Sequence, residues 1–187
     1  MTDRPARVEV RLAHVSDVRY PERIIDLIAV PYDEWATVEY EGRLVQESFR
    51  PGAFGNVQNR SDKFLVNLEH DFTRVVGKVH RLYPDHPKGL RSELFIRRGE
   101  EFDQVLLDAA DGMLDGSVGF GVYPENQEWE GKERRRIVKA KLDHIALTFT
   151  PAFAGAKVVG VRTTPPPPAA SYLERIRLRR LAEEYHL

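Results

Sequence analysis

From Arg7 to Leu12 the chain alternates polar and apolar residues, Arg-Val-Glu-Val-Arg-Leu, the period of a strand with one buried face. Arg23 to Tyr32 reads differently, as an apolar run rich in Ile, Leu and Val bounded by Pro21 and Pro31, which predicts a strand buried on both faces. Glu41-Gly42 predicts a turn into a second alternating strand, Arg43 to Phe49, and Pro51-Gly52 breaks that pattern. Strands are also predicted over Lys63 to Leu68, Val75 to Leu82 and Leu90 to Ile96, with Pro84, Pro87 and Gly89 between the last two. Between Glu100 and Met113 the period changes. Phe102, Val105, Leu106, Ala109, Ala110 and Met113 recur at spacings of three and four, one face of a helix, and Gly112 and Gly116 mark its end and the turn beyond. Ser117 to Tyr123 and Arg136 to Phe149 return to strand, joined by a polar hairpin loop around Glu130-Gly131-Lys132.

After Val161 the composition shifts to Thr163-Thr164 and four consecutive prolines, Pro165 to Pro168, which lack backbone donors and favour an extended linker. Ser171 followed by Glu174 forms a capping-box pattern, so a helix is predicted from Tyr172 to Tyr185 with Arg175, Arg177, Arg179 and Arg180 on its surface. Its apolar residues form two short clusters and not one stripe, so it is not expected to stand alone. The class is α+β, mainly β: one domain over residues 1–162, a Pro-rich linker at 163–170 and a C-terminal helix at 171–187. There is no internal repeat.

Composition narrows the chemistry. With 187 residues and 42% hydrophobic content, a buried core is within reach of one domain. Lys plus Arg (28) nearly balances Asp plus Glu (29), so no bulk positive field points to nucleic acid. The absence of cysteine excludes a disulfide framework, a thiolate metal site and a cysteine nucleophile. Met1-Thr2-Asp3-Arg4-Pro5 carries charges where a signal peptide needs an apolar stretch, and no run approaches the roughly 18 apolar residues of a membrane span. A soluble protein without an export signal of its own is expected.

Two residues could supply nucleophile and base. Ser117 lies in Gly116-Ser117-Val118-Gly119-Phe120, where small neighbours would let a peptide backbone and local amides come close. His70 lies in Asn67-Leu68-Glu69-His70-Asp71, and an imidazole has the basicity to accept a serine proton near neutral pH. Read by itself, Ser117 is a serine at a turn-to-strand junction, and His70 a strand-capping residue hydrogen-bonded to Asp71 or Glu69. His14, His80, His86 and His186 show no pairing suited to a metal, so no metal and no cofactor are expected. The carboxylates Glu100-Glu101, Asp108 and Asp111 fall on the polar side or ends of the predicted helix. Arg134-Arg135-Arg136 follows Glu128, Glu130 and Glu133 and reads as a solvated hairpin, not as a nucleic-acid patch.

The order of these segments, with Arg50-Pro51-Gly52-Ala53-Phe54 upstream and Pro151-Ala152 downstream, resembles the serine protease family that matures the proheads of tailed phages. The resemblance runs from about Ile24 to Val161. It implies a closed or split β-barrel of herpesvirus-protease type with a flanking helix, and a serine endopeptidase led by Ser117 and His70. Scaffold and major capsid precursor proteins would be cleaved, and the enzyme itself. Its setting would be the host bacterial cytoplasm, inside the assembling prohead, as a homo-oligomer such as a dimer, without nucleic acid or membrane. Many relatives carry a glutamate seven residues before the Pro-Ala pair, and that position here is His144. A histidine there is similar to the Ser-His-His arrangement of herpesvirus assemblins. Asp143 is the alternative third residue, because neighbours on a strand face opposite ways and cannot both reach His70 without a bulge. A neutral ring in place of an anion implies a slower enzyme, tolerable where substrates are confined with it. Pro51-Gly52-Ala53-Phe54 has no group suited to proton transfer and reads as architecture near the site. The tail could be a plain end or a docking helix. The competing reading of the whole chain is a non-catalytic capsid or tube-type structural protein on a related β scaffold.

Overall fold

A computed structural model describes the backbone of residues 8–13, 15–19 and 22–149, with side chains from residue 22 onward. Twelve strands are present there: β1 (Val8–Ala13), β2 (Val15–Arg19), β3 (Ile24–Pro31), β4 (Ala36–Tyr40), β5 (Arg43–Phe49), β6 (Leu65–Leu68), β7 (Asp71–Tyr83), β8 (Gly89–Ile96), β9 (Asp115–Gly121), β10 (Gln127–Glu130), β11 (Arg134–Ile137) and β12 (Lys141–Thr148). One α-helix, α1 (Glu100–Ala110), and two short 3-10 helices complete the described elements. The chain is thus mainly β, with an eight-stranded half-barrel sheet in the order β1-β9-β12-β6-β7-β8-β3-β2 and a four-stranded sheet in the order β10-β11-β5-β4. β12 runs parallel to β6, and β11 parallel to β5.

Alternation decides which face of the large sheet is the core. On β6, β9 and β12, Val66, Leu68, Val118, Phe120, Ile145 and Leu147 point inward and are buried. Arg50-Pro51-Gly52-Ala53-Phe54 serves this inner side. Phe54 stacks on Phe49 at 5.6 Å, and Phe49 meets Phe120 edge-on at 5.0 Å, so the turn props β9 from beneath. Helix α1 buries Val105, Leu106 and Ala109, and is tied down where Arg23 Nη1 donates to Asp103 Oδ1 at 2.6 Å.

Several expectations need correcting. The helix stops at Ala110, three residues early, and Met113 lies beyond it, 56% exposed. Gly116 is inside β9 and not in a turn, so Ser117 is a mid-strand residue. The single strand predicted from Arg136 to Phe149 is two strands in different sheets. Arg135 is not solvated: it is completely buried, its Nε donating to Glu47 Oε2 at 2.7 Å and its guanidinium 3.9 Å above the Tyr40 ring. The predicted linker at 163–170 and helix at 171–187 lie outside the described residues.

Candidate active site

The outer face of β6, β9 and β12 carries the candidate chemistry. Across this face Ser117 is in register with Ala146 and Gly119 with His144 on β12, and Ala146 is in turn in register with Asn67 on β6. Cross-strand partners share a face, so a serine, a histidine and two small residues come together without any loop rearrangement. His70 arrives from the two-residue turn between β6 and β7. Leu68 pairs with Asp71, and both central residues, Glu69 and His70, have positive φ (53° and 58°). That geometry matches the twist of a hairpin but is costly for residues other than glycine, so something must hold it. Glu69 does: its carboxylate accepts from Thr148 Oγ1 and from the Phe149 amide, each at 2.7 Å, while its own amide donates to the Leu147 carbonyl at 2.9 Å. The turn is thereby clamped to β12, the strand that supplies His144.

The consequence is a continuous chain of hydrogen bonds. Ser117 Oγ is 2.9 Å from His70 Nε2, and His70 Nδ1 is 2.8 Å from His144 Nε2. His144 Nδ1 continues to Asp143 Oδ2 at 2.9 Å. His70 and Ser117 are 47 positions apart in sequence and His70 and His144 are 74 apart, yet the fold brings all three into direct contact. Asp143 does not reach His70. The register of β12 on β9 shifts between Leu142 and His144, leaving Asp143 without a partner, and this bulge lets the carboxylate turn toward its neighbour's ring.

Gly119 makes the arrangement sterically feasible. A Cβ built at that position would overlap the His144 ring, lying 2.8 Å from Nε2 and closer still to Cε1 and Nδ1. The imidazole therefore rests on glycine backbone. Phe72 closes the other side, its ring meeting His144 edge-on at 4.7 Å. Ser117 is fully buried and His70 half-buried. Burial, followed by the nearby His144, lowers the His70 pKa to about 4 against an opposing pull from Glu69. At neutral pH that ring is a neutral base, able to take a proton from Ser117.

Sequence reasoning missed Glu69 and Gly119 as supports of the site. The positive φ of a Glu-His turn is not written in residue type, and the two partners of Glu69 lie 79 and 80 positions away. Gly119 was visible as a small neighbour of Ser117, but its contact belongs to the next strand.

The profile of the caudovirus prohead serine proteases matches residues 11–165. The chain belongs to that family. Among solved structures, the bacteriophage T4 capsid assembly protease, gp21, shares the fold with a TM-score of 0.56 at 9% identity, over 78% of this chain and 98% of that one. No curated protein matches. Prohead serine proteases are peptidases by family description, which accords with a buried serine facing an imidazole. Among the described residues no group of three or more His, Cys, Asp or Glu side chains could hold a metal ion, and no helix is long and apolar enough to cross a membrane.

Proposed function

We propose that this protein is a serine endopeptidase that cleaves scaffold and capsid precursor proteins during prohead maturation, and itself, with Ser117 as nucleophile, His70 as general base and then acid, and His144 orienting His70. The observation that carries the reading is the pair of contacts at His70, 2.9 Å to Ser117 Oγ and 2.8 Å to His144 Nε2. Ser117 Oγ attacks the scissile carbonyl carbon as its proton passes to His70 Nε2. The resulting imidazolium then protonates the leaving amine as the C–N bond breaks, which leaves an acyl ester on Ser117. Water, deprotonated by the same ring, hydrolyses the ester and restores the serine. His144 Nε2 accepts a hydrogen bond from His70 Nδ1–H throughout and keeps the ring aimed.

Closure of the half-barrel in the herpesvirus-protease manner is part of the proposal. It is supported by β1 and β2, which form the two edges of the large sheet and are separated by a single residue of chain. A catalytic domain over 1–162, a linker at 163–170 and a terminal helix at 171–187 that docks on the precursors complete it, as do action as a homo-oligomer and a location inside the prohead in the host cytoplasm. The competing structural-protein reading leaves the ordered contact of hydroxyl and base without a purpose. Co-expression with capsid and scaffold precursors tests the assignment. Cleaved precursors with the native chain and full-length precursors with Ser117→Ala are expected, whereas equal processing by both would overturn it.

A further inference from the structure

Building on Ser117 as nucleophile and His70 as base, we infer that Asp143 sets the direction of the whole hydrogen-bond chain and is a positioning residue for the proposed hydrolysis. Neutral imidazole has one donor nitrogen and one acceptor nitrogen. Two rings in series can therefore carry their protons in either of two senses. In the productive sense His144 holds its proton on Nδ1, His70 holds its own on Nδ1, and the bare His70 Nε2 accepts from the Ser117 hydroxyl. In the reversed sense His144 Nε2–H donates to His70 Nδ1, and His70 Nε2–H points at Ser117 Oγ. His70 Nε2 then has no lone pair to receive the serine proton. Nothing in the two rings themselves distinguishes these states.

The carboxylate does. An ionised Asp143 only accepts, and its Oδ2 lies 2.9 Å from His144 Nδ1, so it requires a proton on that nitrogen. His144 Nε2 is then an acceptor for His70 Nδ1 at 2.8 Å, and His70 Nε2 an acceptor for Ser117 at 2.9 Å. One acceptor at the end of the line thus orders three hydrogen bonds. The reversed state would set two lone pairs against each other at the Asp143 contact. The His144 side chain is only 3% exposed, so little water is at hand to relieve them. Asp143 itself is 44% exposed, which weakens its charge as a stabiliser of distant imidazolium but leaves its acceptor role intact. The bulge that frees residue 143 from pairing with β9 gives the arrangement a structural cause.

Among the described residues the titratable neighbours are few: Glu69 and His144 act on His70, and Asp143 and His70 lie against His144, whose ring also packs on Gly119 and the apolar Phe72. Nitrogen-15 NMR of histidine-labelled full-length protein at pH 7 reads the proton on each ring directly. Both His70 and His144 are expected to be Nδ1-protonated in the native chain. In Asp143→Ala a substantial Nε2-protonated population should appear on both rings, and labelling of Ser117 by a fluorophosphonate should slow by about tenfold. Asp143→Asn keeps the shape but can donate to His144 Nδ1, so it should shift the tautomers further than alanine; Asp143→Glu should restore both readouts. Unchanged tautomers in Asp143→Ala and Asp143→Asn would overturn the inference. The tautomers are equally readable in Ser117→Ala protein. A native chain that never labels but still shows the tautomer shift would therefore sink the hydrolysis and leave the role of Asp143 standing.

Discussion

Arg135 with Glu47 in the small sheet and His70 with His144 in the large one are both polar pairs withdrawn from water, but they meet the cost of desolvation by different means. The Arg135–Glu47 pair keeps full opposite charges, with side chains 0% and 1% exposed, and adds a third contact, from Arg135 Nη1 to Gln127 Oε1 at 3.2 Å. Its energy comes from mutual neutralisation, and it has no proton to give at neutral pH. His70 avoids the cost by shedding its charge, with burial as the main cause of its lowered pKa. A group kept neutral by its surroundings can still receive a proton when a reaction supplies one. The difference between the pairs is the difference between a rivet and a site.

Substitution should separate the two. Arg135→Met removes the cation that faces buried Glu47 and is expected to cost about 3–5 kcal/mol in urea-unfolding stability. Replacing both residues, Arg135→Met with Glu47→Leu, should recover most of that loss, and Ser117 labelling by a fluorophosphonate should persist in the double variant. If the double variant folds but fails to label, the small sheet contributes to the site as well as to stability.

The site should respond in the opposite way, losing rate before stability. Gly119→Ala drives a methyl into the His144 ring and should slow Ser117 labelling by about 100-fold, since displacement by an ångström is enough to disable a proton relay. Adding His144→Ala should relieve the crowding and raise the melting temperature relative to Gly119→Ala without restoring the rate. Glu69→Gln should be milder, a slowing of about tenfold or less, because the amide can still accept at one of the two Glu69 contacts, to Thr148 or the Phe149 amide. Native labelling rates in Glu69→Gln would show that the turn holds His70 without its clamp.

The sequence made some of this legible and hid the rest for physical reasons. Alternation bounded by Gly and Pro gave β5 its observed limits, Arg43 to Phe49, and β8 to within a residue. The break between β11 and β12 was not legible, because Val138, Lys139 and Ala140 contain no turn residue. The break is made by tertiary hydrogen bonds, from Val138 and Lys139 amides to Asn126 and from Ala140 to Ala53. At the site, residue type alone did not single out His70, Ser117 or His144; the resemblance to the prohead protease family did, and the fold brings those three side chains together. The bulge at Asp143 was foreseen only as a condition for two neighbours to reach one target. The fold puts it to another use, with Asp143 on His144 and His144 on His70.

The most direct test of a hydroxyl served by a neutral, half-buried imidazole is the pH dependence of Ser117 labelling by a fluorophosphonate, read by mass spectrometry in the native chain and in His70→Ala. His70 is half protonated at about pH 4 in the folded chain, against about 6.5 for a free histidine, so the neutral base persists into mildly acid solution. The predicted result is labelling at Ser117 that holds nearly level from pH 7 down to about 5, falls away toward 4, and is lost at every pH in His70→Ala. Labelling that is absent from folded native protein, or that proceeds equally in His70→Ala, would contradict it.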